Sequence, residues 1–134
     1  MHRSVLALAA LSLVACAETI TRETCDEAAM PGTWKASLTK TDGPDTCPTL
    51  TKSIEMPSGC SANCGCTESQ IVFELPTDPT KEDRCAFRFQ ETCPGGQTLD
   101  CRTVTVESAT SAAGQCFLKL GTVACTYDVE WSKQ

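Results

Sequence analysis

The chain has 134 residues, and 17 acidic side chains against 11 basic ones give it a formal charge of −6. No Lys/Arg cluster exists, so the positive patch that phosphate binding needs is missing and nucleic acid is excluded as an expected partner. A chain this size rarely supports two cores, and one domain is expected.

The first fifteen residues differ in kind from the rest. Met1 to Ser4 form a small positive head, and Val5 to Ala15 form an apolar run broken only by Ser12. Eleven helical residues rise about 16 Å, roughly half the hydrocarbon thickness, so this run is too short to span a bilayer. It ends in Leu13-Val14-Ala15-Cys16. That stretch resembles the lipobox of bacterial lipoprotein precursors. The resemblance implies a signal helix over 1–15, cleavage before Cys16, and a diacylglycerol on the Cys16 thiol. In that family an aspartate after the cysteine commonly signals inner-membrane retention. Ala17 stands there, so the resemblance implies the outer membrane of a diderm host. The competing reading is an ordinary secretory signal, cut after Ala17, that releases a soluble protein beginning at Glu18. The lipobox is preferred because it falls at the right distance from the charged head.

Residues 16–29 read as a lipidated tether, with Ala17 to Thr24 small and polar. A bridge from Cys25 into the domain would limit the free part to about eight residues, or roughly 28 Å extended. Asp26 to Met30 could form a helical turn before Pro31.

From Met30 onward the pattern is strands and turns. Trp34, Ala36 and Leu38 alternate with Lys35, Ser37 and Thr39, as a half-buried strand requires. Further strands are expected over Thr49 to Met56, Gln70 to Leu75 and Leu99 to Ser108. Others are marked by Cys85, Phe87 and Phe89, and by Cys116, Leu118 and Leu120, with Phe117 a mild exception to the alternation. Val123 to Trp131 alternates throughout. Breakers at Gly43-Pro44, Pro57-Ser58-Gly59, Pro76 with Pro79, Pro94-Gly95-Gly96, Gly114 and Gly121 separate these runs. Gly121-Thr122 reads as a tight hairpin. The expected fold is all-β: a small disulfide-stapled antiparallel sandwich or barrel of about seven strands over residues 30–134. Aromatic residues are few, so a thin core is expected.

Ten cysteines follow Cys16, at Cys25, Cys47, Cys60, Cys64, Cys66, Cys85, Cys93, Cys101, Cys116 and Cys125. An even number at this density in an exported chain reads as a disulfide framework, matured in an oxidising compartment. The pairing does not follow from the spacing. Cys60, Cys64 and Cys66 pack three thiols into seven residues, yet no C-x-x-C occurs and the spacing matches no zinc or iron-sulfur signature, so no metal or other cofactor is expected. A tight loop tied to three different strands is the preferred reading of that cluster.

Catalytic signals are weak. The only histidine is His2, inside the signal, which leaves the mature chain without the usual general base, metal ligand or triad member. Ser37-Leu38-Thr39-Lys40 matches the S-x-x-K of penicillin-recognising enzymes, but in a strand an offset of three sends the two side chains to opposite faces. Asp26-Glu27 and Glu82-Asp83 are adjacent pairs that do not converge, and Asp42-Gly43-Pro44-Asp45 and Thr77-Asp78-Pro79 read as turns. No catalytic residue is therefore expected.

Gly32-Thr33-Trp34 resembles the G-x-W that opens the first strand of lipocalins, closed barrels that carry small apolar ligands. Lipocalins usually pack an arginine from the last strand over that tryptophan, and no arginine follows Arg102 here. The leading expectation is a membrane-anchored, non-catalytic structural or interaction module that meets an envelope or external protein. The second is a lipocalin-like carrier of a small apolar ligand, and the third is a protease inhibitor presenting the loop Ser58 to Gly65.

Overall fold

The computed structural model describes residues 20, 21, 25, 30–56, 59–62 and 68–134, with 59–62 placed by their backbone. The lipobox, Cys16, Cys64, Cys66 and the pair Asp26-Glu27 lie outside the described residues.

Eight strands form one antiparallel sheet: β1 (Gly32–Asp42), β2 (Leu50–Met56), β3 (Gly59–Ala62), β4 (Glu68–Glu74), β5 (Ala86–Thr92), β6 (Thr98–Ser108), β7 (Ser111–Leu120) and β8 (Val123–Lys133). Their order across the sheet is β3-β2-β1-β8-β7-β6-β5-β4. Apart from β3 and β4, every strand pairs with its sequence neighbours, and β1 also pairs with β8. This is an up-and-down meander curled toward closure, with its edges at β3 and β4. A second packed sheet, as a sandwich needs, is not among the described elements. Seven strands stand where alternation placed them. The eighth, β3, occupies ground expected to be loop and carries Cys60.

Alternation decides which side of each strand is inside. Trp34, Ala36 and Leu38 of β1 are buried, as are Cys125, Tyr127, Val129 and Trp131 of β8 and Phe87 and Phe89 of β5. The core is fuller than the low aromatic count suggests, because five of the chain's seven aromatics converge on it. Trp131 packs edge-on against both Phe87 and Phe89, with ring centroids 5.9 Å apart in each pair. Such contacts contribute about 0.5–1.5 kcal/mol beyond the area they bury. Phe117 is half-exposed on the outer side, where the Arg102 guanidinium lies 6.0 Å from its ring centroid.

Turn chemistry agrees with the breakers, with one correction. Gly121 takes φ 61° between the paired residues Leu120 and Val123, as a two-residue hairpin with glycine first demands. Asp78 caps a single 3-10 turn, Pro79–Lys81, accepting hydrogen bonds from the Thr80 amide and hydroxyl. Gly114, expected to break a strand, lies inside β7. A bulge in β6 comes so close that a Cβ on Gly114 would lie 2.9 Å from Val104 Cα. Thr103 in that bulge adopts φ 52°, and its amide donates to Glu74 Oε1 at 2.7 Å.

Three bridges are described: Cys25–Cys85, Cys47–Cys125 and Cys101–Cys116. Cys93 is disulfide-bonded as well. Cys101 and Cys116 face each other across β6 and β7, and Cys47 ties the β1–β2 loop to β8. Bridges of this kind belong to an oxidising, non-cytoplasmic compartment.

Packing against the domain extends N-terminal of residue 30 at the described positions. Ile20 and Cys25 are buried, the Ile20 carbonyl accepts from the Cys85 amide, and Thr21 pairs with Arg84. The Met30 carbonyl accepts from Trp34 Nε1 at 2.9 Å. The bridge from Cys25 limits the tether as its position allowed, and the large apolar side chain Ile20, inside the stretch read as small and polar, is bound by the domain as well. Any free spacer after Cys16 therefore ends before Ile20.

Candidate functional site

The curled sheet has two unlike ends. One end collects the start of β1, the β4–β5 and β6–β7 connections and the end of β8. Ile20, Met30 and the Cys25–Cys85 bridge pack there, above the aromatic cluster. The other end collects the β1–β2, β5–β6 and β7–β8 connections, and here the interior is not filled. A partly open cavity of about 180 Å³ lies between Leu50, Leu99, Leu118 and Leu120, with Pro48, Gln97 and Cys93 at its rim.

Lys52 and Glu91 also line this cavity. Lys52 shares the inner face of β2 with Ile54 and Met56, and Glu91 shares the inner face of β5 with Phe87 and Phe89. Their charged groups meet at 2.7 Å, with side-chain exposures of 9% and 1%. Glu91 Oε1 is buried and has no hydrogen-bond partner among the described residues. Removing two charges from water is costly, and only close pairing makes their burial tolerable. The cavity therefore joins a mostly leucine wall to one neutralised ion pair. It can hold a small, largely apolar group, and a net charge entering it would lack a counterion among the described lining residues.

The neighbouring loop is held rigidly. Tyr127 donates its hydroxyl hydrogen bond to the Pro48 carbonyl at 2.8 Å, and burial pushes the phenol's pKa up. Gly43, at φ +111°, lies so close to β8 that a Cβ would sit 2.8 Å from both the Ala124 carbonyl oxygen and Cys47 Sγ.

A second cluster lies on the outer face of β5, β6 and β7. Arg88 binds Asp100 through two hydrogen bonds of 2.7 and 2.6 Å, and Arg102 adds a third at 2.6 Å. Burial works to raise the Asp100 carboxyl, but the hydrogen bonds and charges of the two arginines outweigh it and hold the pKa below the ordinary carboxylate value. The Asp100 hydrogen bond in turn raises Arg88. Glu74 also acts on Arg88 through its charge, so the two arginines face two carboxylates.

The residues singled out in the sequence fall apart in space. Ser37 and Lys40 sit on β1, the first followed by Leu38 on the buried face and the second paired with Asp45 in the adjoining turn at 3.6 Å. Glu82 and Asp83 are exposed in the β4–β5 connection. Lys52 and Glu91, which sequence reasoning passed over, left a legible signal: each is a charge in register with apolar neighbours two residues away. Arg88, Asp100 and Arg102 left less, since charges on the polar face of a strand are ordinary. Among the described residues no group of histidine, cysteine or carboxylate side chains is placed to hold a metal ion.

Comparison of the chain with protein-family models, curated proteins and solved structures returns no match.

Proposed function

We propose that this protein is a lipid-anchored interaction module of the bacterial envelope. It holds the open end of a disulfide-stapled sheet away from the membrane for contact with another envelope or external protein. One observation carries this reading: the N-terminal segment is fastened to the closed end, through Ile20, Thr21 and Cys25, while the cavity and the β1–β2, β5–β6 and β7–β8 connections lie at the opposite end. An anchor at Cys16 would then leave the open end outermost, and the outer membrane follows from Ala17 in the place of a retention aspartate. The work assigned to the module is binding, with no catalytic residue and no cofactor.

The test is the intact mass of the natively processed protein before and after reduction, joined to labelling of its two ends. Acyl mass on a chain starting at Cys16, with one proton gained on reduction for each of the ten later cysteines, supports the anchored module. A photoreactive residue at Thr122 should then cross-link a protein partner, and one at Thr110 should not. A chain starting at Glu18 without added mass overturns the anchor.

The cavity favours a second reading, a carrier. The up-and-down strand order and Gly32-Thr33-Trp34 at the closed end fit the lipocalin resemblance, and Lys133 of the last strand is the register partner of Trp34 where lipocalins place an arginine. About 180 Å³ is too small for a fatty acid and suits a ligand the size of one aromatic ring, since apolar cavities near 150 Å³ hold benzene. Native extraction followed by mass spectrometry of bound small molecules decides it, and an empty interior would sink it.

A further inference from the structure

Four large apolar residues are conspicuously exposed among the described ones, and three of them lie within four positions: Val72 at 45%, Phe73 at 37% and Leu75 at 52%. They sit on the edge strand β4 and just beyond it. Their place in the fold is specific. Glu74 pairs with Ala86, the neighbour of Cys85, and Cys85 is bridged to Cys25 and hydrogen-bonded to Ile20. The apolar ridge is therefore at the closed end, beside the point where the N-terminal segment meets the domain.

We infer that Phe73 and Leu75, which share one side of the chain while Val72 turns to the other face beside Arg88, form a contact surface for the membrane interface, so that the domain rests on the bilayer by its closed end rather than hanging free from its anchor. This rests on the reading of Cys16 as lipidated. Only three residues separate Cys16 from Ile20, and four residue steps reach about 14 Å when fully extended. With its acyl chains in the bilayer, the domain cannot carry its Ile20 end farther from the lipid than that. An exposed apolar cluster at that end would lie at the headgroup boundary, where burying large apolar side chains is favourable.

The test uses the full chain, natively processed and reconstituted in phosphatidylethanolamine–phosphatidylglycerol vesicles, with p-benzoylphenylalanine replacing Phe73 or, in a second variant, Leu75. Phe117, exposed on the outer face of β7, takes the same replacement as control. Illumination should add the mass of one phospholipid at position 73 or 75 and none at 117. Acyl mass on Cys16 without lipid adducts at 73 and 75 overturns the contact while leaving the anchor standing. Adducts to a second copy of this chain, or to another protein, in place of lipid also overturn it and make the ridge a protein interface. Absence of acyl mass on Cys16 overturns the anchor, and this proposal with it.

Discussion

Removing the described bridges one at a time should rank them by the chain each one closes. Cys101–Cys116 closes 15 residues, and the loop-entropy relation gives about 3 kcal/mol for it at 25 °C. Cys47–Cys125 spans 78 residues. The other two described bridges give the unfolded chain a shortcut, through Cys25 to Cys85 and then Cys101 to Cys116. The shortest path between Cys47 and Cys125 then falls to roughly fifty residues at most, since the Cys93 bridge can only shorten it, and is worth up to about 4 kcal/mol by the same relation. The double substitution C47A/C125A should thus cost more than C101A/C116A, by up to about 1 kcal/mol. Urea unfolding with the remaining bridges intact measures both, and the slope in urea should fall in each variant's parent relative to the variant, because cross-links limit the surface exposed on unfolding. Equal costs, or a larger cost for the short cross-strand bridge, would refute the entropic reasoning. They would instead assign the stabilisation to packing of the buried Cys101 and Cys116 sulfurs.

Four other substitutions check separate parts of the structure. Tyr127→Phe should cost about 1 kcal/mol in urea unfolding, the usual net worth of one hydrogen bond, by releasing the Pro48 carbonyl. Glu91→Gln keeps the shape of the cavity lining but leaves the Lys52 charge without its carboxylate, and it should cost several kcal/mol, toward the about 3–5 kcal/mol seen when one partner of a buried pair is removed. Thr103→Asn should raise thermal stability by up to about 1 kcal/mol, since asparagine tolerates the left-handed conformation better than a β-branched residue. Asp100 has its carboxyl pKa lowered in the folded state, so it contributes stability that is fully present above the ordinary carboxylate range and is lost as pH falls through the folded value. Acid unfolding of Asp100→Asn should accordingly show a shallower loss of stability below about pH 4 than the parent protein.

How much was legible in the sequence depends on how far apart the deciding residues are. The strands around Trp34, Phe87 and Tyr127 were readable because a period of two is a local property, complete within five or six residues. Gly121 and Asp78 were readable for the same reason. Strand β3 was missed because four residues around Cys60 carry no alternation to speak of, and the meander's pairing recruits them as an edge. Gly114 was misread because glycine breaks strands in isolation, whereas here its missing Cβ admits the bulge of β6. The cavity pair was half-legible: Lys52 and Glu91 each break an apolar face, but nothing local says that the two breaks meet.

By itself the sequence determined that this is an all-β, cysteine-stapled chain built for an oxidising compartment, since alternation, turn residues and cysteine density are all counted along the chain. Only the tertiary structure decided which cysteines pair, that Ile20 and Cys25 belong to the folded domain, and that one end is packed with aromatics while the other holds a cavity. Those outcomes depend on residues tens of positions apart being brought within contact. The curl of the sheet fixes that, through strand pairings that no single segment encodes.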